Sequence, residues 1–174
     1  MKNSQKDLTE LDNEFHRKRG KALNIALAAE NHLEFFIYQY FIRPQTSKTF
    51  FFDRVMVQPI SFVQKINAFN EICKREKFDG RKVKEIIKLL NSIRETRNKI
   101  AHWETMADPQ KMEISLMRSG EIMDARNFLK LDDKLINDLD EKRFKAMQEI
   151  TELYMKYSLE GTIDEKRDTE FLNP

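Results

Sequence analysis

Leu89-Leu90-Asn91-Ser92-Ile93-Arg94-Glu95-Thr96-Arg97-Asn98-Lys99-Ile100-Ala101-His102-Trp103 reads as the closing turns of a long amphipathic helix. At about 100° per residue, Ile86, Leu90, Ile93, Ile100 and Ala101 fall on one apolar stripe, the pattern of a helix packed on a core. Arg97 stands in the middle of that stripe. A guanidinium cannot lose its proton and is costly to bury unpaired, so the position requires either a buried partner or a cleft. Five residues on comes His102, the side-chain type whose ordinary pKa suits proton transfer near neutrality. In an unbroken helix the two side chains point about 140° apart. They meet at one substrate only if the helix ends between them or a second chain completes the site.

Upstream, Phe78-Asp79-Gly80 is a turn signal, so the helix is expected from about Arg81 to His102 or Trp103. Pro59 and Ser61, with Gln64 three residues beyond the serine, form a helix start of the capping-box kind, and Phe62, Ile66, Phe69 and Cys73 give that helix its core face. Arg43 to Pro59 is an irregular connection that still holds Phe50, Phe51, Phe52, Val55 and Val57. Lys21 to Ile42 is the most apolar helix, and such a helix is central to a bundle or shared with a second chain. Its stripe of Leu23, Leu27, Ile37 and Phe41 has Glu30 and Glu34 in the middle. Two acids on one core stripe and an arginine on another explain one another, so Glu30 and Glu34 are expected as the buried partners of Arg97. Residues 4–19 form a charged helix with Leu8, Leu11 and Phe15 on one face, and Gly20 is expected to break or kink it. Residues 1–20 are therefore an N-terminal charged helical extension.

Downstream, Asp108-Pro109 closes the loop after the motif helix. Lys111 to Met117 and Glu121 to Leu129 flank Arg118-Ser119-Gly120 and predict a β-hairpin at about residues 111–130, lying against the helices. Asp132 or Asp133 starts the last long helix, with Leu135, Ile136, Leu139, Met147, Ile150, Tyr154 and Tyr157 on its apolar side. Residues 161–174 are a polar tail. The expected fold is an all-α bundle of four to five helices, residues 21–160, with a small β-hairpin insertion.

Composition excludes several classes. The 174 residues, 40% hydrophobic and 34% charged, suit one globular domain with a proper core. Thirteen Phe against 4 Gly and 4 Pro favour helices with few tight turns and leave no Gly-rich phosphate loop. His16, His32, His102 and the lone Cys73 lack metal-ligand spacing, so neither metal nor cofactor is expected. No segment approaches the roughly 20 apolar residues of a membrane span, and Met1 to Glu14 is no secretory signal. A single cysteine, read as a core residue, suits a reducing cytoplasm. The net charge of +2 neither demands nor forbids nucleic acid. Basic clusters stand at Arg17-Lys18-Arg19-Gly20-Lys21, at Lys74-Arg75-Glu76-Lys77 and from Arg81 to Lys88.

Arg97-Asn98-Lys99-Ile100-Ala101-His102, behind the apolar run from Ile86 to Ile93, resembles the Arg-Asn-x-x-x-His motif of the HEPN superfamily (higher eukaryote and prokaryote nucleotide-binding domains). The resemblance covers roughly Ala22 to Tyr157 and implies a helical core. Members that act as ribonucleases are symmetric dimers with both motifs facing a shared cleft. It therefore implies a cytoplasmic homodimer and a metal-independent endoribonuclease of a toxin or phage-defence type. Arg97 and His102 would be catalytic, Asn98, Glu30 and Glu34 supporting, and Arg94 and Lys99 would bind RNA. A protein antitoxin or regulator would be a further partner. Glu104 stands where some toxins carry a Tyr that an antitoxin modifies, so neutralisation by that route is not expected. The aromatic-rich connection followed by Pro59-Ile60-Ser61-Phe62 also resembles mannitol-repressor-like regulators. That likeness implies the alternative, a non-catalytic module binding RNA, nucleotide or another protein.

Overall fold

The computed structural model describes residues 2–41, 53–108, 113–118 and 128–160. Helix α1 spans Lys2–Phe41, a short π-helical turn Asp53–Val57, α2 Phe62–Arg75, α3 Gly80–His102 and α4 Asp133–Glu160. Between α3 and α4 lie strands β1 (Glu104–Asp108), β2 (Glu113–Met117) and β3 (Phe128–Lys130). The fold is an all-α bundle with a small antiparallel sheet, as the periodicity predicts. Phe50 to Phe52, residues 119–127 and the tail from Gly161 lie outside the described residues, as do the side chains of Leu8 and Tyr157.

Local chemistry sets the helix ends. The Ser61 hydroxyl accepts from the Gln64 N–H at 3.4 Å while Gln64 Oε1 accepts from the Ser61 N–H at 2.8 Å, which is the expected capping box. Asp79 Oδ1 accepts from the Arg81 N–H at 2.9 Å to start α3, and Asp132 Oδ1 from the Leu135 N–H at 2.8 Å to start α4. Between α2 and α3, Lys77 adopts φ 54°, and the N–H of Phe78 returns to the Cys73 carbonyl at 3.0 Å. That left-handed residue reverses the chain, the role usually filled by glycine.

Side-chain pairs fix the directions. Glu34–Lys65, Phe36–Phe69 and Tyr40–Glu76 step forward together, so α1 and α2 run parallel. Lys18–Asp133 and His32–Thr151 do the same for α1 and α4. Lys82 meets Glu152 whereas Arg19 meets Ala101, so α3 runs against both. The core between them holds Leu33, Phe69, Ile86, Leu90, Ile93, Ile136, Leu139 and Ile150, all at most 2% exposed.

Three expectations need correction. Helix α1 passes through Gly20 without a break. Phe15 and Ala22, seven residues apart and both buried, carry one face across the glycine, and that packing outweighs its cost of about 1 kcal/mol. Second, the inward face of α1 is Ala22, Ala26, Ala29, Leu33 and Phe36; Ile37 is buried with them, but Leu27 is 51% and Phe41 56% exposed. The alanines let neighbouring helices approach closely, so the large side chains sit to one side of the true seam. Third, the insertion has three described strands, in the order β1-β2-β3. Glu104–Asp108, expected as loop, is an edge strand. Its register, Thr105 opposite Leu116, is set by the central strand, whose Leu116 is fully buried. Tertiary pairing decides such a segment more than its own propensity.

Candidate functional site

Helix α3 continues to His102, with Trp103 as its C-cap and the Trp103 N–H bonded to the Lys99 carbonyl at 2.9 Å. The helix does not end between Arg97 and His102, so within one chain they diverge by about 140°. Asn98, Lys99 and His102 are exposed, and Arg97 and Arg94 are half-buried. Arg97 Nη1 donates to Asn98 Oδ1 at 3.1 Å. Lys99 Nζ stands 5.6 Å from the centre of the Trp103 ring, a cation–π distance. Arg94 Nη2 lies 3.7 Å from Glu95 Oε1, while its Nε is buried without a hydrogen-bond partner.

Arg97 opens onto a pocket of about 230 Å³ between α1 and α3, lined by Leu23, Asn24, Leu27 and Glu30 on one side and Arg97 and Ala101 on the other. The cleft that a mid-stripe guanidinium required is therefore present. The expected pairing is not. Glu30 and Glu34, one turn apart, instead hold Lys65 of α2, with Nζ at 3.0 Å from Glu30 Oε1 and 2.7 Å from Glu34 Oε2. Lys65 is 3% exposed. Burial alone would lower its pKa, but the hydrogen bonds to Glu34 and Glu30 outweigh that and hold it above the ordinary 10.5. Because α2 runs parallel to α1, its first turn reaches these acids directly, and Arg97 has no ion pair among the described residues.

Lys65 falls within the stripe of Phe62, Ile66, Phe69 and Cys73. The signal that singles out Arg97, a charge inside an apolar stripe, applies to it equally. Arg19 carried no such signal beyond its basic cluster. Its Nη2 donates at 3.1 Å to the carbonyl of Ala101, in the last turn of α3 where carbonyls lack helical partners. The N-terminal extension is thus tied to the end of the motif helix.

The remaining reactive groups lie elsewhere. Cys73 is buried, and burial pushes its thiol up to about 12, which leaves it an inert core residue. His32 is half-buried between α1 and α4, its Nε2 at 3.0 Å from the Thr151 hydroxyl. Among the described residues no group of three or more His, Cys, Asp or Glu is placed to hold a metal ion, and no helix is long and apolar enough to cross a membrane. No family model matches the chain, and neither a curated protein nor a solved structure matches it.

Proposed function

We propose that this chain is a HEPN-like, metal-independent endoribonuclease that acts as a cytoplasmic homodimer in a toxin or phage-defence setting. The observation that supports it best is the arrangement at the end of α3: a half-buried arginine facing an open pocket, an exposed histidine five residues on, and an asparagine bonded to the guanidinium. RNA carries its own nucleophile, the 2′-hydroxyl, so cleavage needs a group that moves protons and a cation for the charge growing on the phosphate. His102 serves the first role and Arg97 the second. Asn98 orients the guanidinium through its Oδ1, and Arg94 and Lys99 supply positive charge along the strand. Since Arg97 and His102 diverge in one chain, a two-fold partner would bring its His102 to this Arg97. The 2′-hydroxyl gives up its proton to the His102 imidazole as its oxygen forms the bond to phosphorus in line, and the phosphorus–5′-oxygen bond breaks with that oxygen taking a proton from water. The products are a 2′,3′-cyclic phosphate and a 5′-hydroxyl.

Incubating the purified protein with RNA in excess chelator tests this. Cleavage with those ends is expected, with DNA spared and His102→Ala slower by about 10²–10⁴-fold. Cleavage that needs magnesium, or that survives His102→Ala undiminished, removes the mechanism. The same divergence of Arg97 and His102 favours a second reading, a non-catalytic module that binds RNA or nucleotide through Arg97. Binding without cutting would select it.

A further inference from the structure

We infer that Lys65 is a positioning residue for Arg97: by holding Glu30 and Glu34, it leaves the guanidinium free to meet a phosphate. The inference rests on the reading above, in which Arg97 is the phosphate-binding cation, and adds what keeps it available. Glu30 and Arg97 line the same pocket of about 230 Å³. They nevertheless form no ion pair. Glu30 is bound on its other side by the Lys65 ammonium at 3.0 Å, and Arg97 is held by the Asn98 amide at 3.1 Å. The two carboxylates are themselves largely buried, 16% and 17% exposed.

A largely buried carboxylate left without Lys65 would take the nearest free cation. Arg97 is the cation that shares the pocket lining with Glu30. A guanidinium edge taken up by a carboxylate is lost to a phosphate, and the pairing offsets the positive charge that would attract one. Lys65 therefore acts on Arg97 through Glu30 and is not itself part of the pocket lining.

The test follows the ¹⁵N resonance of Arg97 Nε in the full-length protein, together with binding to a 2′-O-methyl RNA oligonucleotide that cannot be cut. Lys65→Met should shift the Arg97 resonance and weaken binding at least about tenfold, the scale of one charge-assisted contact. Where that variant does not fold, Lys65→Met/Glu34→Gln, which leaves one uncompensated carboxylate, is read in its place with the same result expected. Adding Glu30→Gln should reverse the shift of the resonance and tighten binding again relative to the variant that keeps Glu30. An Arg97 resonance that stays in place in the folded variant, or a shift that Glu30→Gln does not reverse, overturns the inference. A wild-type protein that cuts no RNA would end the ribonuclease reading, yet the Arg97 resonance would still decide this one.

Discussion

Lys65 in α2 and Arg97 in α3 stand at equivalent places, each a cation inside the apolar stripe of its helix, yet their surroundings differ. Lys65 is 3% exposed and bonds two carboxylates, whereas Arg97 is half-buried, among the described residues bonds only a neutral amide, and opens onto a pocket. A buried cation with all its partners in the chain is architecture: it ties α2 to α1 in one register. A cation in a cleft whose one carboxylate, Glu30, is already taken by Lys65 is poised for something the chain does not contain. Sequence pattern marks the two alike, and only the placement of the acids separates them.

The contrast can be broken most directly at Lys65. Lys65→Met should cost roughly 3–5 kcal/mol, the scale for removing one partner of a buried ion pair, read as a drop in denaturation midpoint. The ammonium's raised pKa gives the sign with pH. Its contribution is fully present below 10.5 and lost as pH climbs through the higher folded value. Wild-type stability at Lys65→Met would make the triad a surface ornament.

Arg97→Ala should behave in the opposite way. With no ion pair to break among the described residues, its unfolding free energy should change by less than about 1 kcal/mol. Its rate of RNA cleavage should fall by at least about 10²-fold, as when one stabilising donor of a developing charge is removed. A loss of stability as large as that at Lys65 would erase the distinction.

His32 sharpens the comparison as a polar group on a different seam. Burial holds its pKa below the ordinary 6.5, outweighing a backbone hydrogen bond at Met147 that favours the charged form. The unfolded chain therefore binds a proton that the folded chain refuses, and stability should fall as pH drops below 6.5 until the folded pKa is reached. Thermal unfolding between pH 7.5 and 5, about the range where histidine titrates, should show that slope, flattened in His32→Gln. The smallest effect is expected at Gly20. A Cβ there meets nothing within 4 Å and the helix is continuous, so Gly20→Ala should stabilise by up to about 1 kcal/mol. A destabilised variant would mean that the residue needs glycine's freedom.

Much of the fold was legible because it is written locally. The Ser61–Gln64 capping box, the Asp79 and Asp132 caps and the stripe of Ile86, Leu90, Ile93 and Ile100 depend on residues within a few turns of one another. The site was legible in part. A guanidinium in an apolar stripe demands a cleft or a partner, and the cleft exists. Which acid met which base was not legible, since that follows from α2 lying parallel to α1, a relation carried by no local pattern. The same is true of β1, whose strand character comes from β2, and of the alanine seam of α1, where closeness of approach counts for more than side-chain size.

The bond from Arg19 to the Ala101 carbonyl has a mechanical consequence. It rivets the middle of a 40-residue rod to the last turn of the helix that carries Arg97 and His102. Terminal turns ordinarily fray alone, at little cost. Here the end of α3 cannot unwind without breaking its bond to α1, so opening the turn bearing His102 costs about 1–3 kcal/mol more than free fraying, the scale of a hydrogen bond to a charged group.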